Sequence, residues 1–202
     1  MTEPVTVAIL AGGESSRMGT DKSFVMLAGK FLIAHVIERV SVLGLPVMII
    51  ANQPERYQVF GLPVMSDVLP DRSSLGGLYA AIYHSRSDFT LCVACDMPFL
   101  NPELLTYLIG LRDGHDAVVP VIGGHPQGLH ALYSKTCLEP MRRQLEQNQL
   151  KIRDFSAHVN TSWIDEDNLR RYDADLTAFV NVNTPEALRA AELSLHRPNI
   201  DP

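Results

Sequence analysis

Apolar positions along the chain follow two periods, one close to two residues and one close to 3.6. Val5-Thr6-Val7-Ala8-Ile9-Leu10-Ala11 is a continuous β-branched and apolar run that stops at Gly12-Gly13, the pattern of a central parallel strand covered on both faces. Leu32, Val36, Ile37, Val40 and Leu43 then recur at helical spacing until Gly44 closes the pattern. Val47-Met48-Ile49-Ile50-Ala51 predicts a strand, Glu55 to Phe60 a short helical turn, and Leu62-Pro63-Val64-Met65 a short strand ending at Ser66-Asp67. The same reading predicts a helix from about Leu78 to Ser85, a strand from Phe89 to Cys95 and a helix from Pro102 to Leu111. Two further strands, Asp116 to Val121 and Gly128 to Tyr133, flank the turn Gly123-Gly124-His125-Pro126. Helical patterns return over Leu138 to Leu145 and Pro185 to Leu195, the second opened by Asn183-Thr184 and a first-turn proline.

Strands alternating with helices predict an α/β architecture, three αβα layers around a mostly parallel, mixed sheet. Repeats, low-complexity tracts and linkers are absent from the 202 residues, so one domain is expected over 1–202. Ligands of such sheets gather outside the carboxyl ends of the strands. That rule singles out Gly12, Asp67 and Asp96, each of which follows a predicted strand.

Composition narrows the picture. With 46% hydrophobic and 20% charged residues the chain reads as an ordinary globular protein with a sizeable core. A formal charge of −6 argues against a general nucleic-acid or anionic-membrane surface, so a phosphate ligand would need a local site. Met1-Thr2-Glu3-Pro4 lacks a basic region ahead of an apolar stretch, and no apolar run approaches the roughly 18 residues a membrane span needs. A cytoplasmic chain is therefore expected, and the odd count of 3 cysteines fits a reducing compartment. Cys92-Val93-Ala94-Cys95 has redox or zinc spacing, but it lies in a predicted strand, where residues three apart face opposite sides. Those two thiols are expected to be packing residues.

The richest chemistry is in Leu10-Ala11-Gly12-Gly13-Glu14-Ser15-Ser16-Arg17-Met18-Gly19-Thr20-Asp21-Lys22. Glycines after a strand let backbone N–H groups approach an anion, and Arg17 and Lys22 add positive charge. The spacing matches neither the Walker loop, since Lys22 does not directly follow a glycine, nor the dinucleotide fingerprint.

This segment resembles the opening signature L-A-G-G-x-S-x-R-M-G-x-D-K of the molybdenum cofactor guanylyltransferase family, within the nucleotidyltransferase superfamily. The resemblance continues at Asp67, at Leu75-Gly76-Gly77-Leu78, at Cys95-Asp96-Met97-Pro98-Phe99 and at Phe179-Val180-Asn181-Val182-Asn183-Thr184-Pro185-Glu186, in family order. It implies a Rossmann-like nucleotidyltransferase fold, with nucleotide bound by about residues 1–100 and the acceptor by about 101–195. It further implies GMP transfer from GTP to the phosphate of molybdopterin. Leu10, Ala11, Gly12 and Gly13 would hold base and phosphates, and Arg17 and Lys22 would neutralise the triphosphate. Asp67 and a Gly76-Gly77 turn would touch the nucleoside. Asp96 would bind Mg²⁺, a hard cation that usually takes one or two carboxylates together with substrate phosphates; Asn183 would complete that metal's surroundings. On this reading Arg17, Lys22 and Asp96 are the catalytic residues, and transient contact with cofactor-delivery or acceptor proteins is expected.

One segment departs from the family pattern: Ser73-Ser74-Leu75-Gly76-Gly77 stands where G-P-L-A-G is common. A CTP donor, or another phosphorylated acceptor, therefore stays open, as does a nucleotide-binding regulator without turnover. Asp67 and Asp96 also read as turn residues, and Asn181 and Asn183 as residues that open the Thr184 helix. His115, His125 and His130 straddle a strand and a turn without tight metal-ligand spacing. His125-Pro126-Gln127-Gly128 resembles the family region facing the second substrate. Arg142, Arg143, Lys151 and Arg153 read as a solvated helical face, with Lys151 to Arg153 able to reach a pterin phosphate.

Overall fold

The computed structural model describes residues 5–11, 21–69 and 73–195. In the amino-terminal half, β1 (Val5–Leu10) is followed by the hairpin β2 (Met26–Leu27) and β3 (Lys30–Phe31), α1 (Leu32–Ser41), β4 (Val47–Ile50), β5 (Val64–Met65) and α2 (Ser73–His84). Then come β6 (Phe89–Ala94), α3 (Pro102–Gly110), β7 (Ala117–Ile122), β8 (His125–Pro126), β9 (His130–Ser134) and α4 (Leu138–Glu146). The short α5 (Ile152–Phe155), β10 (Thr161–Ile164) and α6 (Glu166–Leu169) precede α7 (Pro185–Leu195).

The main sheet runs β10-β7-β9-β6-β1-β4-β5, with β8 paired to β7. β1 pairs in parallel with both β4 and β6, Ile9 lying opposite Ile49 and Val93. β9 runs against both its neighbours, β6 and β7. The sheet is thus mostly parallel and mixed. Every β1 residue is buried, as a strand covered on both faces must be.

Alternation along the strands divides the core into two apolar layers. Val7, Ile9, Leu91 and Val93 point to the face covered by α1 and α3, where Ile33, Val36, Leu104 and Leu108 meet them. Ala8, Leu10, Met48 and Cys92 point to the face covered by α2 and α4, against Leu75, Leu78 and Met141. A smaller cluster joins Leu27 and Leu32 to Val182 and Ala191, seating α7 on the β2–β3 hairpin. This is the three-layer αβα arrangement that the alternating pattern predicts.

Several local features differ from the sequence reading, which has no counterpart for β8, α5, β10 or α6, and two more are instructive. α2 begins at Ser73, so Gly76 and Gly77 lie inside a helix and not in a turn ahead of one. The burial of Leu75, Leu78 and Ile82 outweighs the roughly 1 kcal/mol that a helical glycine costs relative to alanine. Close packing explains Gly77 itself: a Cβ there would sit 3.3 Å from Leu10 Cδ2. The second difference is the β2–β3 hairpin, whose strands are too short to show a period; Ala28 (φ 48) and Gly29 (φ 82) turn it through the left-handed region.

Candidate active site

The site is built on the carboxyl edge of β1, β4 and β6. Ala11 N–H donates to the Ile50 carbonyl at 2.9 Å and Cys95 N–H to the Leu10 carbonyl at 3.1 Å, so the strand ends stay in register past the last ladder residue. Asp96 is the next residue out. Its backbone carbonyl accepts the Val182 N–H at 2.9 Å, which lays Asn181-Val182-Asn183 against the end of β6.

Lys22 enters this corner from the short 3₁₀ turn Lys22–Phe24, capped by the Asp21 carboxylate, which accepts from Ser23 N–H at 3.1 Å. The Lys22 ammonium donates to Asn183 Oδ1 at 2.6 Å and lies 3.7 Å from Asp96 Oδ2. Burial pushes the Asp96 carboxyl above the usual carboxylate range, and the charge of Lys22 opposes the shift. Asp96 is therefore a largely desolvated carboxylate with one cation beside it. Such a group suits Mg²⁺, which takes its other ligands from phosphate oxygens and water. Among the described residues no cluster of His, Cys, Asp or Glu offers a cage made of protein alone.

A cavity of about 380 Å³ opens beside this corner. Lys22, Asp96 and Asn183 are among its lining residues, together with Gln127, Gly128 and Arg153. The segment predicted to face a second substrate thus does border the cavity through Pro126, Gln127 and Gly128, whereas His125 is exposed on β8 and outside the lining. Arg153 reaches the cavity from α5; Arg142 and Arg143 instead pair with Glu139 on the solvated face of α4.

A second group of candidates meets nearby on the same sheet edge. Gly77 packs against Leu10, and the position its Cβ would take lies 3.8 Å from Asp67 Oδ1. Asp67 is half-buried, and desolvation pushes its carboxyl up, partly offset by a hydrogen bond from Asn52. The structure thus brings Leu10, Asp67 and Gly77 together in one group and Lys22, Asp96 and Asn183 in another. Gly12, Gly13 and Arg17 lie outside the described residues.

Cys92 faces the α2 layer and Cys95 the α1 layer, so the strand geometry separates the two thiols as expected. Burial pushes the Cys95 thiol up to about 12, and Ser23 Oγ donates to its sulfur at 3.3 Å. The histidines occupy separate environments: His115 bonds the Leu111 carbonyl, His125 is exposed, and His130 is fully buried against Phe179. Two features escaped the sequence reading. One is the hydrogen bond from the Lys22 ammonium to Asn183, and the other is Tyr57, read only as part of a short turn; an isolated tyrosine in a turn carries no periodic signal.

Among known proteins, the description "MobA-like NTP transferase domain" matches residues 7–161. The chain is 39% identical over 197 residues to a probable molybdenum cofactor guanylyltransferase of Natranaerobius thermophilus, covering 95% of this chain and 96% of the relative. It is 35% identical to the molybdenum cofactor guanylyltransferase of Desulfosudis oleivorans, covering 96% of each. The crystal structure of molybdopterin-guanine dinucleotide biosynthesis protein A from Archaeoglobus fulgidus superposes with a TM-score of 0.83 at 30% identity, over 94% of this chain and 98% of that one.

Proposed function

The chain belongs to the MobA-like nucleotidyltransferase family, and from that premise we propose that it transfers GMP from GTP to the terminal phosphate of molybdopterin, releasing pyrophosphate and forming molybdopterin guanine dinucleotide. An oxygen of the acceptor phosphate attacks the α-phosphorus, the bond from the α-phosphorus to the bridging oxygen breaks, and pyrophosphate leaves with that oxygen. Because the acceptor phosphate is already a nucleophile, the protein has to position the partners and stabilise charge.

The observation that carries this reading is the corner itself: an ammonium held between Asp96 and Asn183, in a cavity that Arg153 also lines. Lys22, with Arg17, neutralises charge developing on the phosphates. Asn183 aims the lysine. Asp96 holds Mg²⁺, which when bound polarises the triphosphate and screens its charge. Leu10, Ala11, Gly12, Gly13, Asp67, Gly76 and Gly77 form the nucleotide side, where α2 approaches Leu10 and Asp67 at Gly77. Residues 126–128 and Arg153 form the acceptor side. Nucleotide and acceptor parts, about 1–100 and 101–195, work as one domain on one sheet. Action in the cytoplasm and brief hand-over of product to an acceptor protein are part of the same proposal; among the described residues no helix is long and apolar enough to cross a membrane.

The test is a panel of the four nucleoside triphosphates with purified protein, Mg²⁺ and molybdenum cofactor, reading pyrophosphate release and the mass of the product. Addition of GMP is expected. Addition of CMP reassigns the donor, and nucleotide binding without pyrophosphate release makes the chain a regulator.

A further inference from the structure

Tyr57 sits in the 3₁₀ segment Pro54–Phe60 and is 1% exposed. Its ring packs against Phe24 and Phe60, with centroids 5.1 Å and 6.4 Å away, and those two rings also touch each other. At the end of that ring the hydroxyl meets three oxygens: the Ala11 carbonyl at 2.9 Å, Asp21 Oδ2 at 2.8 Å and Ser23 Oγ at 3.0 Å. A phenol has one proton to give, shared among these three acceptors: the Ser23 hydroxyl gives its own single proton to the Cys95 sulfur and accepts from Tyr57 like the carbonyl and the carboxylate. Burial pushes the phenol well above its ordinary range, so it stays a protonated donor.

The placement of these partners matters more than their number. Asp21 and Ser23 are the residues on either side of Lys22. Ala11 is the residue after β1, bonded to Ile50 of the next strand, on the sheet edge that also carries Asp96. One hydroxyl therefore ties both flanks of the lysine to the frame that holds the carboxylate. Arg56 reinforces the tie: its guanidinium lies 3.1 Å from Asp21 Oδ2 and 4.6 Å from the centre of the Phe24 ring. A lysine side chain is long and rotatable, so where its ammonium arrives depends on how firmly its backbone is held. A shift of about 1 Å in a catalytic group can cost on the order of a hundredfold in rate.

We propose that Tyr57 is a positioning residue of the transfer site: through Ala11, Asp21 and Ser23 its hydroxyl fixes the backbone of Lys22, so that the ammonium reaches the corner formed by Asp96 and Asn183. The proposal rests on the GTP-dependent transfer read above.

Tyr57→Phe keeps the ring packing and removes only the hydroxyl. Its kcat should fall about tenfold, the loss expected of one hydrogen bond to a charged group, with a smaller change in KM for GTP and a melting temperature lowered by only a few degrees. The discriminating arm repeats the substitution in a Lys22→Ala background, read as pyrophosphate release at high enzyme concentration. There Tyr57→Phe should change turnover less than twofold, because the group it positions is gone. A Tyr57→Phe enzyme within twofold of wild type, or the same tenfold loss in both backgrounds, overturns the proposal. So does a loss that disappears on assay well below the melting temperature, since that marks a stability effect alone. If the wild-type chain uses another triphosphate and not GTP, the donor assignment fails and the cycle is run with the donor found. A chain inert with all four overturns both readings.

Discussion

The ammonium of Lys22 donates to Asn183 Oδ1 at 2.6 Å, a contact between residues 161 positions apart that closes the amino-terminal turn onto the carboxyl-terminal segment of the site. Asp96, 3.7 Å from the same nitrogen, lies behind that contact. Lys22→Ala removes the cation from a desolvated carboxylate and from the phosphates. Turnover should fall a hundredfold or more, on the order of what one preorganised charge contributes in such sites. Stability should fall by about 1–3 kcal/mol, because the carboxylate left without its cation is largely desolvated. Pyrophosphate release and thermal melting check both halves, and near-normal turnover in a folded variant would remove Lys22 from the site.

His130 gives the fold a sensitivity to acid. The ring is fully buried on β9, stacked on Phe179 at 4.3 Å, and neither nitrogen makes a well-formed hydrogen bond. Burial pushes its pKa from 6.5 down to about 3, with a backbone contact at Ala178 offsetting part of the shift. The unfolded chain therefore binds this proton before the folded one does. The group costs nothing above about pH 6.5, and stability is lost as pH falls from there towards 3, by about 1.4 kcal/mol per unit. Between pH 7 and pH 5 the loss should be about 2 kcal/mol, and His130→Leu should flatten that part of the curve. Denaturant unfolding of both proteins at the two pH values measures it; equal slopes would show that His130 is not the group responsible.

The sheet edge is the part of this site most legible in sequence. Asp67 and Asp96 each follow an apolar run, and a run that stops at a carboxylate marks a strand end without knowledge of the fold. The pairing of Lys22 with Asn183 is invisible at that level, because it depends on Val182 N–H meeting the Asp96 carbonyl across the fold. The short turn over Gly123 to Pro126 announces that β9 runs against β7, but its insertion beside β6 was hidden, since alternation reports which face a residue takes and is silent on strand order. α2 was predicted to start late because two glycines look like a turn, whereas Gly77 is there to let the helix approach Leu10. Tyr57 shows the same limit, since its role lies in contacts with Ala11, Asp21 and Ser23 that no local pattern encodes.

Gly128 sets the width of the cavity on its acceptor side. A Cβ there would lie 2.6 Å from Ile152 Cγ2 and 3.4 Å from Tyr133 Oη, while the Tyr133 hydroxyl donates to the Gly128 carbonyl at 2.8 Å and holds the backbone still. Ile152 is branched at its own Cβ and cannot swing away freely. Gly128→Ala should cost about 1–3 kcal/mol and push α5, with Arg153, out of place. The expected kinetic result is a raised KM for the acceptor with little change in KM for GTP. Adding Ile152→Ala should recover most of the acceptor KM by vacating the contested space. Equal rises in both KM values, or a double variant as impaired as the single one, would show that the crowding does not act through α5.

Asp96 is the residue on which the proposed chemistry depends most, and Asp96→Asn separates its charge from its place in the fold. The Val182 N–H to Asp96 carbonyl bond is a main-chain contact, so the substitution leaves the seating of Asn181 to Asn183 unaltered. The side chain keeps its shape and loses one negative charge beside Lys22. If that charge only balanced the lysine, the variant would keep its Mg²⁺ dependence, and turnover would change modestly. If it holds the cation, metal affinity drops because a neutral amide oxygen is a poorer ligand for Mg²⁺ than a carboxylate, and chemistry slows with it. The second outcome is expected: turnover about a hundredfold lower at fixed Mg²⁺, with partial recovery as Mg²⁺ is raised. GTP affinity measured without turnover should change less, because the nucleotide side at Leu10, Asp67 and Gly77 is a separate group of residues. Turnover against Mg²⁺ concentration, paired with GTP titration, decides between the two. A wild-type rate with an unshifted Mg²⁺ curve would make Asp96 the counter-ion of Lys22 and place the metal on other residues.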